Sequence, residues 1–313
     1  ASNIMWLDGV YMLPLILLGV HQLVNENKKA LLMAAAGIAL VFNWYSAAID
    51  FLFSVIWFMY EVLLITPVER SNIKKMVDHI VSYCIAMGTA LMIGAFLFLP
   101  AALAMSDGKG NVEWIPILGI YGWGNIFSFI QRFELGSRSE YGSVSLYCGS
   151  LAVIGCIAYM LCKKIDRNKK ILHSILIVFV LSLFYIPVFV WGFSLLKVVG
   201  SYWYRYSYIG IITLIVIAAE FFSVKDQETN TRALMWKATA VAVLVLFFME
   251  YVKPLGKPFN VYMTVLAFIA TMLFTDILFW TKRVSVKRIV IFLMAVTVST
   301  ELVYNAKLIM TLD

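Results

Sequence analysis

Charge is scarce in this sequence. Asp, Glu, Lys and Arg make up 14% of it, 62% is hydrophobic, and the mean hydropathy is +0.89. A soluble domain carries about 25% charged and roughly 45–50% apolar residues. So few charges cannot cover a surface in contact with water, and the class this implies is a polytopic membrane protein. Histidine and cysteine are scarcer still. His21, His79 and His173 stand apart at loop edges and outline no metal triad. Cys84, Cys148, Cys156 and Cys162 all lie in apolar runs without C-x-x-C spacing. They read as small hydrophobes, which supports neither a disulfide framework nor a zinc site. There is no Walker loop, H-E-x-x-H or G-x-S-x-G. Ser194-x-x-Lys197 matches S-x-x-K in letters only, and Gly119-x-x-Gly122-x-Gly124 lacks the strand–helix context of a dinucleotide loop. No cofactor is expected.

The net charge of +7 does not indicate a nucleic-acid partner. Lysine and arginine occupy short connectors between apolar runs, the pattern of topology signals, and form no continuous basic face. The partner these charges imply is the membrane. Ala1 stands directly before an apolar run, without an initiator Met or a charged n-region, and the chain stops just after a hydrophobic run. This is the pattern expected of an excerpt from a longer protein.

The apolar runs predict an all-α transmembrane bundle of about ten spans, taken as a single unit over residues 1–313. They fall near 4–24, 30–42, 46–65, 77–105, 144–162, 171–191, 204–223, 236–252, 259–280 and 289–308. The run from Ala30 to Ile65 is too long for one crossing. As one helix it would cover about 54 Å, against about 30 Å of hydrocarbon. Asn43-Trp44-Tyr45-Ser46 is the polar interruption that divides it, and it is the one break the sequence reveals. Residues 106–143 read as a polar extracytoplasmic loop carrying short surface helices.

Assigning alternate connectors to two sides places 17 Lys and Arg residues on one and 8 on the other. The positive-inside rule makes the first side cytoplasmic. Asp8, Asn43, the 106–143 loop, Arg205 and the 250–258 connector then share the outer face.

Candidate site residues follow from that sidedness. Arg205 lies at the mouth of a span among Tyr202, Trp203, Tyr204, Tyr206 and Tyr208. An ionisable group at such depth costs about 2.5–3.5 kcal/mol unless satisfied. A guanidinium flanked by Tyr204 and Tyr206 suits a phosphate; the alternative is a snorkelling arginine in an aromatic belt. Asp8 either positions an acceptor hydroxyl, pairs with Arg205 or caps a helix. Asn43 and Tyr45 either line a cavity at the break or reseal its backbone. Trp191 closes the run before the aromatic cluster, and Asp50 lies below the break. Glu61, Glu220 and Asp276 sit near cytoplasmic ends and read as solvated or interfacial. Glu113, Arg132, Glu134, Arg138 and Glu140 read as surface charges of the outer loop.

Several of these segments resemble a known family. Asn3-Ile4-Met5-Trp6-Leu7-Asp8 running into Leu13-Pro14-Leu15-Ile16-Leu17-Leu18-Gly19 is similar to the opening segment of bacterial YfhO-type membrane proteins. Asn43-Trp44-Tyr45 resembles their N-F-Y break, and Leu146-Tyr147-Cys148-Gly149 their lYcG motif. Trp191-Gly192-Phe193-Ser194 followed by Tyr204-Arg205-Tyr206-Ser207-Tyr208 resembles their hGFs…PYRYSF stretch. The motifs keep the family's order and span residues 3 to 208. The family's Pro before Tyr-Arg-Tyr is absent, with Ser201-Tyr202-Trp203 in that region.

The resemblance implies a glycosyltransferase of the GT-C type. Such an enzyme takes a sugar from a polyprenyl-phosphate donor on the outer face of the bacterial plasma membrane. It passes the sugar to a cell-envelope glycopolymer such as teichoic acid. Arg205 would then stabilise the phosphate leaving group. The catalytic acidic residue of such enzymes lies in the first outer loop, which the resemblance places before Ala1, so the catalytic residue here is unknown. Two rivals stand beside the enzyme: a transporter or flippase of lipid-linked saccharides, and a non-catalytic scaffold of an envelope-synthesis complex. A single break without an inverted repeat favours the enzyme over the transporter, which needs paired broken helices.

Overall fold

The computed structural model describes residues 7–64, 73–106, 133–137, 139, 144–196, 204–223, 231–252 and 258–310. Among these there are eleven α-helices and no strand. They are α1 Leu7–Glu26, α2 Ala30–Phe42, α3 Trp44–Leu64, α4 Ile73–Ser106, α5 Ser150–Leu161 and α6 Arg167–Tyr185. There follow α7 Pro187–Phe193, α8 Ser207–Ser223, α9 Thr231–Val252, α10 Pro258–Trp280 and α11 Val284–Met310. Seven are long and apolar enough to cross a bilayer, and α2, α5 and α8 are shorter apolar helices. Each of the ten runs read from the sequence corresponds to one of these ten helices, and α7 is the addition. The expected surface helices between 106 and 143 fall almost entirely outside the described residues, as do Glu113, Arg132, Arg138, Glu140, Tyr202 and Trp203.

The added helix arises from proline. The run 171–191 is not one helix but α6 and α7, parted at Ile186, whose backbone is extended at φ −87° and ψ 119°. Pro187 has no N–H to continue α6, and its ring pushes the preceding residue out of the helical region. It is instead well placed at the first position of α7, where the N–H groups of Phe189 and Val190 bond the Ile186 carbonyl at 3.0 Å each. Among the described residues there are therefore two helix breaks where one was expected.

The chain divides into two compact units. Among the described helices, α1–α4 and α7 form the first, and α5, α6 and α8–α11 form the second. In the first unit α2 packs on α1, α3 and α4, and α1 also packs on α3. Close approach depends on small residues. A Cβ on Gly19 of α1 would meet the Leu32 Cα of α2 at 2.7 Å, so only glycine permits this contact. In the second unit α5 is central, packing on α8, α9 and α10, and α11 leans on α10. Its core includes Tyr159, Phe221, Met235 and Phe268. The four cysteines are free thiols, three of them buried and Cys84 exposed.

Candidate functional site

Arg205 lies in a turn, Tyr204 to Tyr206, that leads directly into α8. Tyr204 adopts a left-handed φ of 56°, and its carbonyl accepts from the Ser207 N–H at 2.9 Å, which closes the turn. Tyr206 holds the turn in place. It is fully buried, donates its hydroxyl to the Leu183 carbonyl at 2.9 Å and stacks on Phe184 at 5.2 Å with an 8° interplanar angle. Tyr204 meets both Phe184 and Tyr206 edge-on, at 6.1 and 6.3 Å. Arg205, between these two tyrosines in sequence, stays partly exposed. The second unit thus presents a guanidinium on a turn fixed by buried aromatic contacts, beside the positive end of the α8 macrodipole.

The other sequence candidates belong to the first unit. Asn43 caps α3. Its Oδ1 accepts from the Tyr45 and Ser46 N–H groups at 3.1 and 3.3 Å, while its own N–H closes α2 on Ala39. This is the backbone-resealing role, carried out by an N-cap asparagine. Tyr45 lies in the first turn of α3, edge-on to Trp44 at 6.0 Å. Asp8 occupies the first turn of α1, where a carboxylate complements the macrodipole, and accepts from Tyr11. Trp191 lies on α7 and lines a cavity with Phe51 and Leu52 of α3 and Tyr83 and Met87 of α4. Asp50 is completely buried in α3.

Two carboxylates expected at surfaces, Glu61 and Glu134, are buried, and a third, Glu220, is half-buried. Glu61 is buried and pairs with His21, whose Nδ1 lies 3.1 and 3.2 Å from its two oxygens. Glu220 lies 2.9 Å from Nε2 of His173, a histidine with no exposed surface that also lies 3.0 Å from the Tyr159 hydroxyl. Glu134 is buried too. Charges of this kind persist inside a bundle because burial of an unpaired ion would cost far more than pairing it. Asp276, expected at the cytoplasmic interface, makes a two-point ion pair with Arg232 of α9, 2.7 Å at its longer contact.

The sequence reading missed Glu301 altogether. It lies in the last long helix, only 7% exposed, and takes three donors: the Ser150 N–H at 2.8 Å, the Ser150 hydroxyl at 2.6 Å and the Tyr147 hydroxyl. Ser150 also contacts Thr271 of α10 at 2.8 Å. Just along the chain the Leu135 N–H donates to Thr264 of α10 and the Gly136 N–H to Asn305 of α11. Leu135, Gly136, Tyr147 and Ser150 are thereby tied to α10 and α11 by six hydrogen bonds. Gly149 permits this path, since its φ of 88° and ψ of 149° belong to a region that side-chain-bearing residues avoid. An acidic residue inside an apolar run was the available signal, and its partners lie more than a hundred residues away in sequence. Among the described residues no three His, Cys, Asp or Glu side chains gather as a metal site would require.

These features define the class: a multi-pass helical membrane protein in which buried carboxylates such as Glu61 and Glu301 find partners on other helices. Residues 1–311 match the family described as Bacterial membrane protein YfhO, and the chain belongs to that family. No curated protein and no solved structure matches the chain.

Proposed function

We propose that the chain forms the membrane-embedded part of a glycosyltransferase acting on the outer face of the bacterial plasma membrane. The donor is a polyprenyl-phosphate-linked sugar and the acceptor a cell-envelope glycopolymer such as teichoic acid. The observation that carries this reading is the partly exposed Arg205 on a turn locked by Tyr206 and Phe184. A preorganised guanidinium meets the growing charge on a leaving phosphate without having to reorganise during the reaction. Tyr204 would flank the sugar-phosphate, and Tyr206 would serve as the anchor of the turn. Asp8, Asn43, Tyr45 and Trp191, all in the first unit, remain candidates for contacts with donor or acceptor.

A transporter of lipid-linked saccharides is the second reading, and the α6–α7 break favours it. Two interrupted spans, at Asn43 and at Ile186, suit alternating access better than one does. Proteoliposomes containing the full-length protein and labelled polyprenyl-phosphate-sugar separate the readings. Sugar transfer to acceptor that is lost in Arg205→Ala supports the enzyme. Undiminished transfer in that variant overturns the role of Arg205. Movement of the labelled lipid between leaflets without transfer replaces the enzyme with the transporter.

A further inference from the structure

The first unit contains a cavity of about 770 Å³, within the range of about 300–1,000 Å³ usual for ligand pockets. Its walls come from α3, α4 and α7 and are almost wholly apolar. The polar group in the α4 wall, the Tyr83 hydroxyl, lies 2.6 Å from Ser54 Oγ, which itself donates to the Phe51 carbonyl at 2.8 Å. An apolar guest therefore leaves that hydroxyl pair satisfied. A polar guest would lose its hydration without compensation.

The mouth of the cavity indicates where its occupant comes from. Leu52 and Val55 on α3 are 41% and 40% exposed, and Val188 on α7 is 41% exposed, although all three line the cavity. The flanking helices, Trp44–Leu64 and Ile73–Ala101, are long and apolar enough to cross the membrane. The opening therefore faces sideways into hydrocarbon, where phospholipid tails are the most abundant species. The third wall is short among the described residues. α7 has seven residues, about 10 Å of helix, against about 30 Å of hydrocarbon.

We propose that this groove is a specific lipid site, holding one hydrocarbon tail of a bilayer phospholipid against α3, α4 and α7. Tails are as apolar as leucine, so transfer from the bilayer supplies no hydrophobic gain. The preference comes from the dispersion contacts of a concave surface, which surrounds a tail more fully than a convex helix face does. The tail would lie along the short α7 wall. The inference is independent of the sugar-transfer reading.

Gly192 of α7 provides the test. It lines the groove, and a Cβ added there meets nothing within 4 Å. Gly192→Leu therefore fills the groove without displacing the backbone. The full chain is placed in nanodiscs of phosphatidylcholine carrying a diazirine in one acyl chain, irradiated, and mapped by peptide mass spectrometry. Labelling at Phe51, Leu52, Val188 and Phe189 is expected to exceed severalfold that at Met92 and Phe96, which are 73% and 67% exposed on α4. Gly192→Leu should remove that excess and leave labelling at Met92 and Phe96 unchanged. Val55→Trp at the mouth gives a second blocked variant should the first not fold. Equal labelling of groove and outer face, or an excess that survives both blocked variants, overturns the proposal. Groove labelling by a photoreactive polyprenyl phosphate that excess phospholipid fails to displace overturns it in favour of an isoprenoid site.

Discussion

Glu301 of α11 and Ser150 at the start of α5 are joined twice, the Ser150 N–H and hydroxyl donating to opposite carboxylate oxygens at 2.8 and 2.6 Å. The pair links helices 151 positions apart in sequence. It places the cap of α5 on the side chain of another helix.

Removing that acceptor should destabilise the second unit. Glu301→Ala leaves the Ser150 N–H and the Tyr147 hydroxyl buried without their acceptor. At about 1–3 kcal/mol per unsatisfied group the loss is about 3 kcal/mol. Glu301→Gln keeps one acceptor oxygen and should fall between wild type and Ala. Thermal unfolding midpoints of the purified protein in detergent provide the comparison. A wild-type midpoint in Glu301→Ala would show that the carboxylate is dispensable.

The tyrosine that anchors the Arg205 turn should act through position and stability. Tyr206→Phe keeps the stack on Phe184 but loses the bond to the Leu183 carbonyl, a cost of about 1 kcal/mol. Tyr206→Ala removes both and should cost about 3–5 kcal/mol. Unfolding midpoints test the order wild type, Phe, Ala.

Arg205 should behave in the opposite way, with activity falling and stability holding. On the proposed mechanism Arg205→Ala lowers the transfer rate by about 10²–10³, the range for loss of one preorganised donor at developing charge. Arg205→Lys restores charge but not the planar two-point geometry, so recovery should be partial. Rates in proteoliposomes and unfolding midpoints on the same preparations separate the two effects.

The α2–α3 break offers a further check. Asn43→Ala removes the cap of α3 and should lower stability by about 1 kcal/mol, whereas Asn43→Asp retains an accepting oxygen and should lose less. Equal midpoints for the two variants would rule out capping as the role of this side chain.

The division between what was readable and what was not follows the range of the interactions. Apolar runs long enough to cross hydrocarbon are visible residue by residue, so the helices and the Asn43 break were legible. The Pro187 break was legible in principle, from a proline near the end of an apolar run. Glu61 was misplaced because it stands near the end of an apolar run, where a solvated carboxylate is the usual outcome, and Glu134 because it stands in a polar loop. The setting of such groups depends on partners brought in from elsewhere: His21 is 40 residues from the buried Glu61, and His173 lies on a different helix from the half-buried Glu220.

By itself, then, the sequence determined that this is a many-helix membrane protein, which segments form helices and that Arg205 stands at the opening of one. Those properties depend on hydrophobicity and backbone geometry summed over neighbouring residues. Only the tertiary structure decided that Tyr206 anchors the Arg205 turn, that Glu301 caps α5 and that α3, α4 and α7 enclose a groove. Each of these requires side chains far apart in the chain to meet at hydrogen-bonding or van der Waals distance.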